Sequence, residues 1–366
     1  MDRNTKGFKI KLNNDAIDQE KQELVNIFLN DKKVKKYILG RNESAQILSK
    51  AVDVDGYIDD YTNEKIYLGK QIFKSSEVEK NVIIVSCSLA IYPHSAITSL
   101  KKQGIEKVLS YLDVMKYGNN ELLTMEFIDN ANIDLQQNLK TYEWIASRMI
   151  EDESKKVFTD ILNFRKNKNL DYMKKYIVDV KGQYFEDFLN FGENEVFVDA
   201  GGFDGQTSIE FTKHCQKYKA IYIFEPDSIN LKLAKENLST FKNVNFIAKG
   251  LSNQKDTLRF DTGSGSASSI SETGNITIEV DTLDNMVEEK VTFIKMDIEG
   301  AEGLAIEGMK NHILNDHPKM AISVYHKADD FWKLSKQILD IRDDYDLYMR
   351  HYTEGIYETV IFFMPK

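Results

Sequence analysis

Residues 295–302 combine a lysine, three acidic side chains and a glycine, and they are the clearest chemical signal in the sequence. They follow the apolar run 291–294 and precede a helical pattern over 304–313, so a buried strand is predicted to end in carboxylates and a turn. Ligands of open α/β sheets bind outside the carboxyl ends of strands. We therefore expect Asp297 and Glu299 to face a ligand.

A second acidic strand end lies upstream. The apolar run 196–198 leads into Asp199, and Gly201, Gly202 and Gly205 follow before a helical pattern begins. This spacing differs from the Gly-x-Gly-x-x-Gly fingerprint of dinucleotide sites. An acidic residue here suits a cationic amino-acid group, such as the methionine end of S-adenosylmethionine, better than a pyrophosphate. The alternative is a tight strand-to-helix turn that binds nothing.

The next predicted strand, 221–224, ends in Glu225 and Pro226. A carboxylate at the tip of the second strand can accept both ribose hydroxyls of a nucleoside, and the proline fixes the turn. Glu225 alone could be a solvated strand end. Because it follows the Asp199 segment, the pair indicates an adenosyl cofactor.

In combination, these motifs resemble the FkbM family of S-adenosylmethionine-dependent methyltransferases. The resemblance covers about residues 180–366, half of the chain. The matching segments are 183–185, 199–205, 224–226, 250–252, 280–284, 295–302, 349–352 and 358–360. One departure is visible, because many members carry Asn where Phe203 stands.

The resemblance implies an α/β fold of class I methyltransferase type, a Rossmann-like sheet of parallel strands with an antiparallel C-terminal hairpin. It also implies methyl transfer from S-adenosyl-L-methionine, typically to a hydroxyl of a sugar or secondary metabolite. The expected acceptor is thus a small molecule, a sugar or sugar nucleotide. The cofactor-binding residues expected are Asp199, Gly201, Gly202, Gly205, Glu225, Pro226, Leu251 and Ser252.

Methyl transfer to an alcohol requires a positioned acceptor and removal of its proton. The predicted catalytic residues are Asp297, Glu299 and His326, which follows the fifth strand and whose ordinary pKa suits a base. As alternatives, the two carboxylates cap the helix that starts near Ala301, and His326 is a satisfied strand end.

A divalent metal is a further option at the acceptor side, since Mg²⁺ bound by carboxylates can lower the pKa of an acceptor hydroxyl. Because strand five ends in His326 rather than an aspartate, we expect no obligatory metal, and metal ligands stay open. The Gly-Ser segment 262–269 is interpreted as a mobile cover of the site or a connector.

Four parts are predicted along the chain: an N-terminal helical segment 1–34, a Rossmann-like α/β module 35–117, a helical bridge 118–190 and the methyltransferase domain 191–366. The module 35–117 lacks the dinucleotide fingerprint, which argues against an NAD-dependent oxidoreductase. It is interpreted as a packing domain or a homodimer contact, or as a site for the sugar-nucleotide part of the substrate.

Composition limits the partners and compartment. The chain has 366 residues, with 48 Lys and Arg against 58 Asp and Glu, a net charge of −10 that disfavours nucleic acid. Two cysteines exclude a disulfide framework, and no apolar run is long enough to span a membrane. We expect a cytoplasmic enzyme.

The competing functions are a catalytically silent, cofactor-binding interaction module and a methyltransferase for a nitrogen or protein acceptor.

Overall fold

The computed structural model describes residues 8–118, 125–261, 269–270 and 276–366. Residues 262–268 of the Gly-Ser segment, for which a cover or connector is expected, lie outside the described residues. The α-helices are α1 Gln19–Asn30, α2 Glu43–Ala51, α3 Pro93–Lys102, α4 Tyr111–Tyr117, α5 Glu126–Arg148, α6 Asp152–Asn167, α7 Gln206–His214, α8 Ser228–Asn237, α9 Leu283–Met286, α10 Glu302–Glu307 and α11 Asp330–Ile341. The strands are β1 Lys36–Leu39, β2 Gly56–Ile58, β3 Ile66–Tyr67, β4 Lys70–Phe73, β5 Ile83–Ser86, β6 Val108–Ser110, β7 Val196–Ala200, β8 Ala220–Phe224, β9 Val244–Ile247, β10 Gly250–Leu251, β11 Asp256–Asp261, β12 Ser269–Ile270, β13 Ile276–Asp281, β14 Phe293–Met296, β15 Lys319–Ser323, β16 Tyr345–His351 and β17 Thr359–Pro365.

The first sheet has the order β3-β4-β2-β1-β5-β6, and all its pairs are parallel except β3 with β4. Strand β5 is buried along its whole length, as expected for a parallel strand with both faces covered. The strand order changes direction between β1 and β5. Open α/β sheets bind ligands at such a switch point.

Two long helices, α5 and α6, follow the first sheet along the chain, and Tyr142 contacts Phe158 where they pack. Lys168 then adopts a left-handed backbone, which ends α6. From there to Glu195, the chain forms the short 3₁₀ turns Leu170–Tyr172 and Asp187–Leu189 within irregular segments. The described residues of the predicted bridge are therefore helical in α5 and α6 and mostly irregular after Asn167.

The second sheet has the order β16-β17-β15-β14-β7-β8-β9. Strands β15, β14, β7, β8 and β9 are parallel neighbours, and the hairpin β16–β17 is antiparallel and pairs with β15 through β17. This confirms the predicted class I methyltransferase fold. The carboxyl ends of β7, β8 and β14 meet at one edge, where the predicted site residues lie.

A small sheet of order β10-β13-β11-β12 is an additional element that the sequence patterns did not indicate. Strand β10 has only two residues, too few for a visible alternation, and it pairs with β13. The small sheet places Leu251 beside Asp281.

The two large sheets are joined by the hairpin loop 352–358 between β16 and β17. The amides of Glu354 and Ile356 donate to the carbonyls of Ile91 and Leu89, at 2.9 and 3.0 Å, just beyond β5. A Cβ on Gly355 would lie 2.0 Å from the carbonyl oxygen of Ala90. The hairpin loop thus contacts the first sheet at its switch point. Every helix in the described ranges is too short or too polar for a membrane span.

Candidate functional site

The cofactor loop, residues 199–205, joins β7 to α7 through left-handed backbone. Gly201 and Gly205 have φ values of +76° and +83°, which glycine adopts without steric cost. Phe203 has φ +46°, unusual for a bulky residue, and its side chain is 61% exposed. A Cβ on Gly202 would lie 2.3 Å from the Ile223 side chain. The loop is therefore a tight turn, packed against β8 at Gly202 and exposed at the Phe203 side chain.

Gly201 brings the cofactor loop against the acidic strand end. A Cβ there would lie 1.9 Å from the carbonyl oxygen of Asp297. The Asp297 amide in turn donates to the Ala200 carbonyl at 3.1 Å. The structure thus places the two predicted parts of the site side by side.

Asp199 lies beneath the cofactor loop rather than at its surface. Its carboxylate is fully buried, 3.2 Å from the Lys295 Nζ, and accepts a 2.8 Å hydrogen bond from Ser208. Lys295 is the register partner of Asp199 in β14 and also donates to the Gly201 carbonyl at 2.7 Å. Asp199 thus forms a buried ion pair that supports the loop, and its part in binding a cationic ligand stays a prediction.

Glu225 lies at the end of β8, next to the cofactor loop, as expected. Its carboxylate is 7% exposed and accepts 2.9 Å hydrogen bonds from the amides of Phe203 and Asp227, one on each oxygen. Burial raises the pKa of this carboxyl above its usual value. Because a carboxylate oxygen accepts more than one hydrogen bond, each can still receive a ligand hydroxyl.

The remaining predicted cofactor residues differ in exposure. Pro226 is half-buried directly after Glu225. Leu251 and Ser252 are only 3% and 4% exposed, and the Ser252 amide donates to Asp281 at 3.0 Å. Their side chains therefore offer little surface to a ligand.

Two tyrosines hold Asp297. The hydroxyls of Tyr184 and Tyr325 donate to its Oδ2 at 2.8 and 2.9 Å. Burial opposes ionisation of Asp297, but the nearby charges of His326 and Lys295 lower its pKa below the usual value. Neither tyrosine is among the site residues that the sequence predicts, although Tyr184 lies in the segment 183–185 that carries part of the resemblance.

His326 meets three carboxylates at the carboxyl end of β15. Its Nδ1 lies 3.0 Å from Glu302 Oε1, and its Nε2 lies 3.4 Å from both Asp297 Oδ1 and Glu299 Oε2. Burial lowers the pKa of the imidazole, but Glu302 above all, with Asp297 and Glu299, raises it to about 10. A raised pKa keeps the ring protonated near neutral pH, which disfavours His326 as the base, and its catalytic role stays a prediction.

Glu299 is the most solvent-accessible of these carboxylates. Its side chain is 36% exposed, its backbone is left-handed at φ +57°, and burial raises its pKa to about 7. Glu358, in the hairpin loop, also lies close to Asp297. Its Oε2 is 3.5 Å from the Tyr325 hydroxyl that contacts Asp297, and burial raises the pKa of its carboxyl to about 7. The sequence patterns did not indicate Glu358 as a site residue. The start of α10 carries no side-chain cap, so Asp297 and Glu299 are not helix caps.

The comparisons with known proteins agree with this geometry. Residues 199–352 match the family model described as the methyltransferase FkbM domain. The structure is similar to that of methyltransferase FkbM from Methylobacillus flagellatus KT, with a TM-score of 0.74, 22% identity and coverage of 93% of this chain and 92% of that one. An rRNA methylase from Streptococcus thermophilus gives a TM-score of 0.33 and 15% identity over 49% of this chain and 92% of its own, too weak for an argument. No curated protein sequence matches significantly.

The family match spans the cofactor loop, Glu225 and the acidic strand end, and the solved FkbM structure shares the fold over nearly the whole chain. Residues 199–352 thus match the methyltransferase FkbM domain, and the chain shares the fold of a solved FkbM methyltransferase.

Proposed function

We propose that the chain uses S-adenosylmethionine to methylate a hydroxyl oxygen of a sugar, sugar nucleotide or secondary metabolite. The observation that carries this proposal is the fixed carboxylate of Glu225 beside a glycine loop that adjoins Asp297. The cofactor residues and the acceptor residues would then lie on the two sides of one junction at Gly201.

The residues present fit the cofactor. Glu225 would accept the ribose hydroxyls, and the backbone of residues 201–203 would approach the methionine part, where a Cβ on Gly201 or Gly202 leaves no room. The buried pair of Asp199 and Lys295 would hold the loop in this shape. When bound, the cofactor supplies an electrophilic methyl group.

The acceptor would bind between Asp297 and Glu299. Asp297 is fixed by two tyrosine hydroxyls, so it can orient an acceptor hydroxyl as a hydrogen-bond acceptor. Glu299 is the most exposed carboxylate of the cluster, so it would take the proton that the hydroxyl loses. His326 would act as a positioning residue through its contacts with both.

The first sheet would serve as a packing module in this proposal. The hairpin loop contacts the segment after β5, where a nucleotide of a Rossmann-like module would approach, and Glu354 accepts from the amide and hydroxyl of Ser95 at 2.7 and 2.6 Å. These contacts support packing over sugar-nucleotide binding at this edge. A homodimer formed through the module and a cytoplasmic location stay predictions.

Calorimetric titration with S-adenosylhomocysteine tests the cofactor assignment. Replacing Glu225 by alanine removes two charge-assisted hydrogen bonds to the ribose, so we expect about 100-fold weaker binding, and about tenfold for Glu225→Gln. Glu195→Gln is the matched control, because Glu195 is equally buried but lies at the opposite end of β7. Unchanged affinity in Glu225→Ala, or tight binding of NAD by the unmodified chain, would sink the assignment.

Transfer of a labelled methyl group tests the acceptor class. The unmodified chain and Glu299→Gln are incubated with sugar nucleotides, amines and a protein extract. We expect label on a hydroxyl oxygen of a small molecule, and at least about a 100-fold loss in Glu299→Gln, as for removal of a general base. Label on an amine or a protein would replace the proposal with the competing acceptor.

A further inference from the structure

One imidazole and two nearly enclosed carboxylates form a compact set at the ends of β14 and β15. Asp297, Glu302 and His326 each offer one ligand atom, and these atoms all lie within 4.8 Å of one another. Ligand atoms about 2.1 Å from a single ion lie at most about 4.2 Å apart, so the three side chains would have to close by several tenths of an ångström to bind one ion. The three residues come from two strand ends and the start of α10, so the fold itself brings them together.

The set contains polar atoms that protein groups leave unsatisfied. Glu302 is 1% exposed, and its Oε2 has no hydrogen-bond partner among the described residues. The His326 side chain is 9% exposed, and neither ring nitrogen makes a hydrogen bond of good geometry with the described part of the chain. Buried polar atoms are normally satisfied, so these orphaned atoms indicate a missing partner.

The charge of the partner follows from the surroundings. Asp297, Glu299 and Glu302 face one imidazole, which leaves an excess of negative charge even when the ring is charged. Buried charge of one sign is costly without compensation. A divalent cation would compensate it.

We propose that Asp297, Glu302 and His326 bind a divalent transition-metal ion. An imidazole with two carboxylates suits Mn²⁺, Fe²⁺, Co²⁺ or Zn²⁺, whereas Mg²⁺ and Ca²⁺ prefer oxygen ligands alone. Hydrogen bonds already orient both carboxylates, from Tyr184 to Asp297 and from the Ile298 amide to Glu302 at 2.9 Å. Such outer contacts are typical of metal ligands.

The site adjoins the space assigned to the acceptor, because Asp297 contacts the cofactor loop. Its role in catalysis rests on the proposed function: the ion would orient the acceptor hydroxyl and favour loss of its proton to Glu299. Metal binding itself does not depend on that function.

Titration with Co²⁺ tests the site, using the full-length chain freed of metals with a chelator. We expect one Co²⁺ per chain, visible absorption bands of a ligated ion, and affinity for Mg²⁺ at least about 100-fold weaker. His326→Gln and Asp297→Asn should each weaken Co²⁺ binding by about 100-fold. His312→Gln is the matched control, because His312 is also buried and lies 2.6 Å from Asp316, and its Co²⁺ affinity should be unchanged.

Absence of stoichiometric Co²⁺ binding, or equal binding by the unmodified chain and both site variants, would overturn the proposal. Circular dichroism melting verifies that each variant is folded, and Glu302→Gln replaces any variant that is not. Titration with S-adenosylhomocysteine is run in parallel. If the unmodified chain binds S-adenosylhomocysteine but not Co²⁺, the metal site alone is contradicted. If it binds Co²⁺ but not S-adenosylhomocysteine, the proposed function alone is contradicted.

Discussion

The two sides of the proposed site, a cofactor side around Asp199 and Glu225 and an acceptor side around His326, differ in how their charges are balanced. On the cofactor side, the Asp199 carboxylate is paired with Lys295, and Glu225 is tied to two backbone amides. On the acceptor side, several carboxylates surround His326, and polar atoms of Glu302 and His326 are left without hydrogen bonds. Each carboxylate of the cofactor side thus has a protein partner, although Oδ1 of Asp199 is held by its ion pair without a hydrogen bond. The acceptor side has more carboxylates than cationic partners, and a ligand would balance that charge.

The difference indicates that backbone shape determines binding on the cofactor side and that side-chain charge determines it on the acceptor side. The cofactor side is held by backbone geometry, at glycines and hydrogen-bonded amides, which can bind one cofactor with fixed shape. The acceptor side depends on side-chain ionisation, which responds to whatever cation or hydroxyl enters. Changes at the junction between the two sides should therefore have larger effects than changes within either.

The junction at Gly201 gives the largest expected effect. Gly201→Ala would place a Cβ 1.9 Å from the Asp297 carbonyl oxygen at a left-handed φ of +76°. We expect a loss of more than about 4 kcal/mol in the free energy of unfolding, measured by chemical denaturation, because β7 and β14 must separate. Binding of S-adenosylhomocysteine should be lost as well.

Gly69→Ala is the matched control for this prediction. Gly69 has a nearly equal φ of +75°, but a Cβ there would have no atom within 4 Å. Gly69→Ala should lower the free energy of unfolding by about 1 to 2 kcal/mol, because only the left-handed backbone is unfavourable for alanine there. Equal losses in the two variants would show that the contact between the cofactor loop and Asp297 contributes nothing.

Acid sensitivity should come from the hairpin that carries Glu358 to the acceptor side. Burial of His351 in β16, together with the nearby charge of Arg165, lowers the pKa of its ring to about 3. The folded state then excludes a proton that the unfolded chain accepts below about pH 6.5. Stability is fully present above that pH and should fall by roughly 1.4 kcal/mol per pH unit as the pH drops toward 3.

Denaturation of the unmodified chain and His351→Asn between pH 7 and 4 measures this effect. Asparagine cannot be protonated in this range, so the variant should have a shallower slope, even if it is less stable at pH 7. His214→Asn, at a partly exposed position on α7, serves as the control and should keep the original slope. An unchanged slope in His351→Asn would show that other groups cause the acid sensitivity.

The cofactor side could be predicted from the sequence because its signals are local. Asp199 and the glycines of its loop, like Glu225 and Pro226, occur within single strand-turn-helix segments, and strand patterns fix the edge of the sheet at which they lie. What the patterns could not give was the Lys295 partner of Asp199, because strand register depends on long-range pairing. The small sheet around β10 was missed because β10 has only two residues, too few for a visible alternation.

The acceptor side resisted prediction because it is assembled from distant segments. Tyr184 lies 113 residues from Asp297 along the chain, and Glu358 reaches the site only because the hairpin folds back. His326 was predicted as a base from its residue type, but the pKa of its ring depends on three carboxylates that only the fold brings together. Residue types along a strand predict position well and ionisation poorly.

The smallest expected effect lies within the cofactor side, at Phe203. Its backbone is left-handed at φ +46°, where asparagine is several-fold enriched, and many FkbM proteins carry asparagine there. The side chain is 61% exposed, so Phe203→Asn forfeits little burial and relieves backbone strain. We expect a gain of about 0.5 to 1 kcal/mol in the free energy of unfolding and an affinity for S-adenosylhomocysteine that is unchanged or a few-fold higher.

Phe203→Ala separates the causes, because it removes the ring without the left-handed preference of asparagine. If Phe203→Asn instead weakens binding about tenfold and Phe203→Ala does the same, the ring itself contacts the cofactor, and the cofactor side is then held by a side chain as well as by backbone.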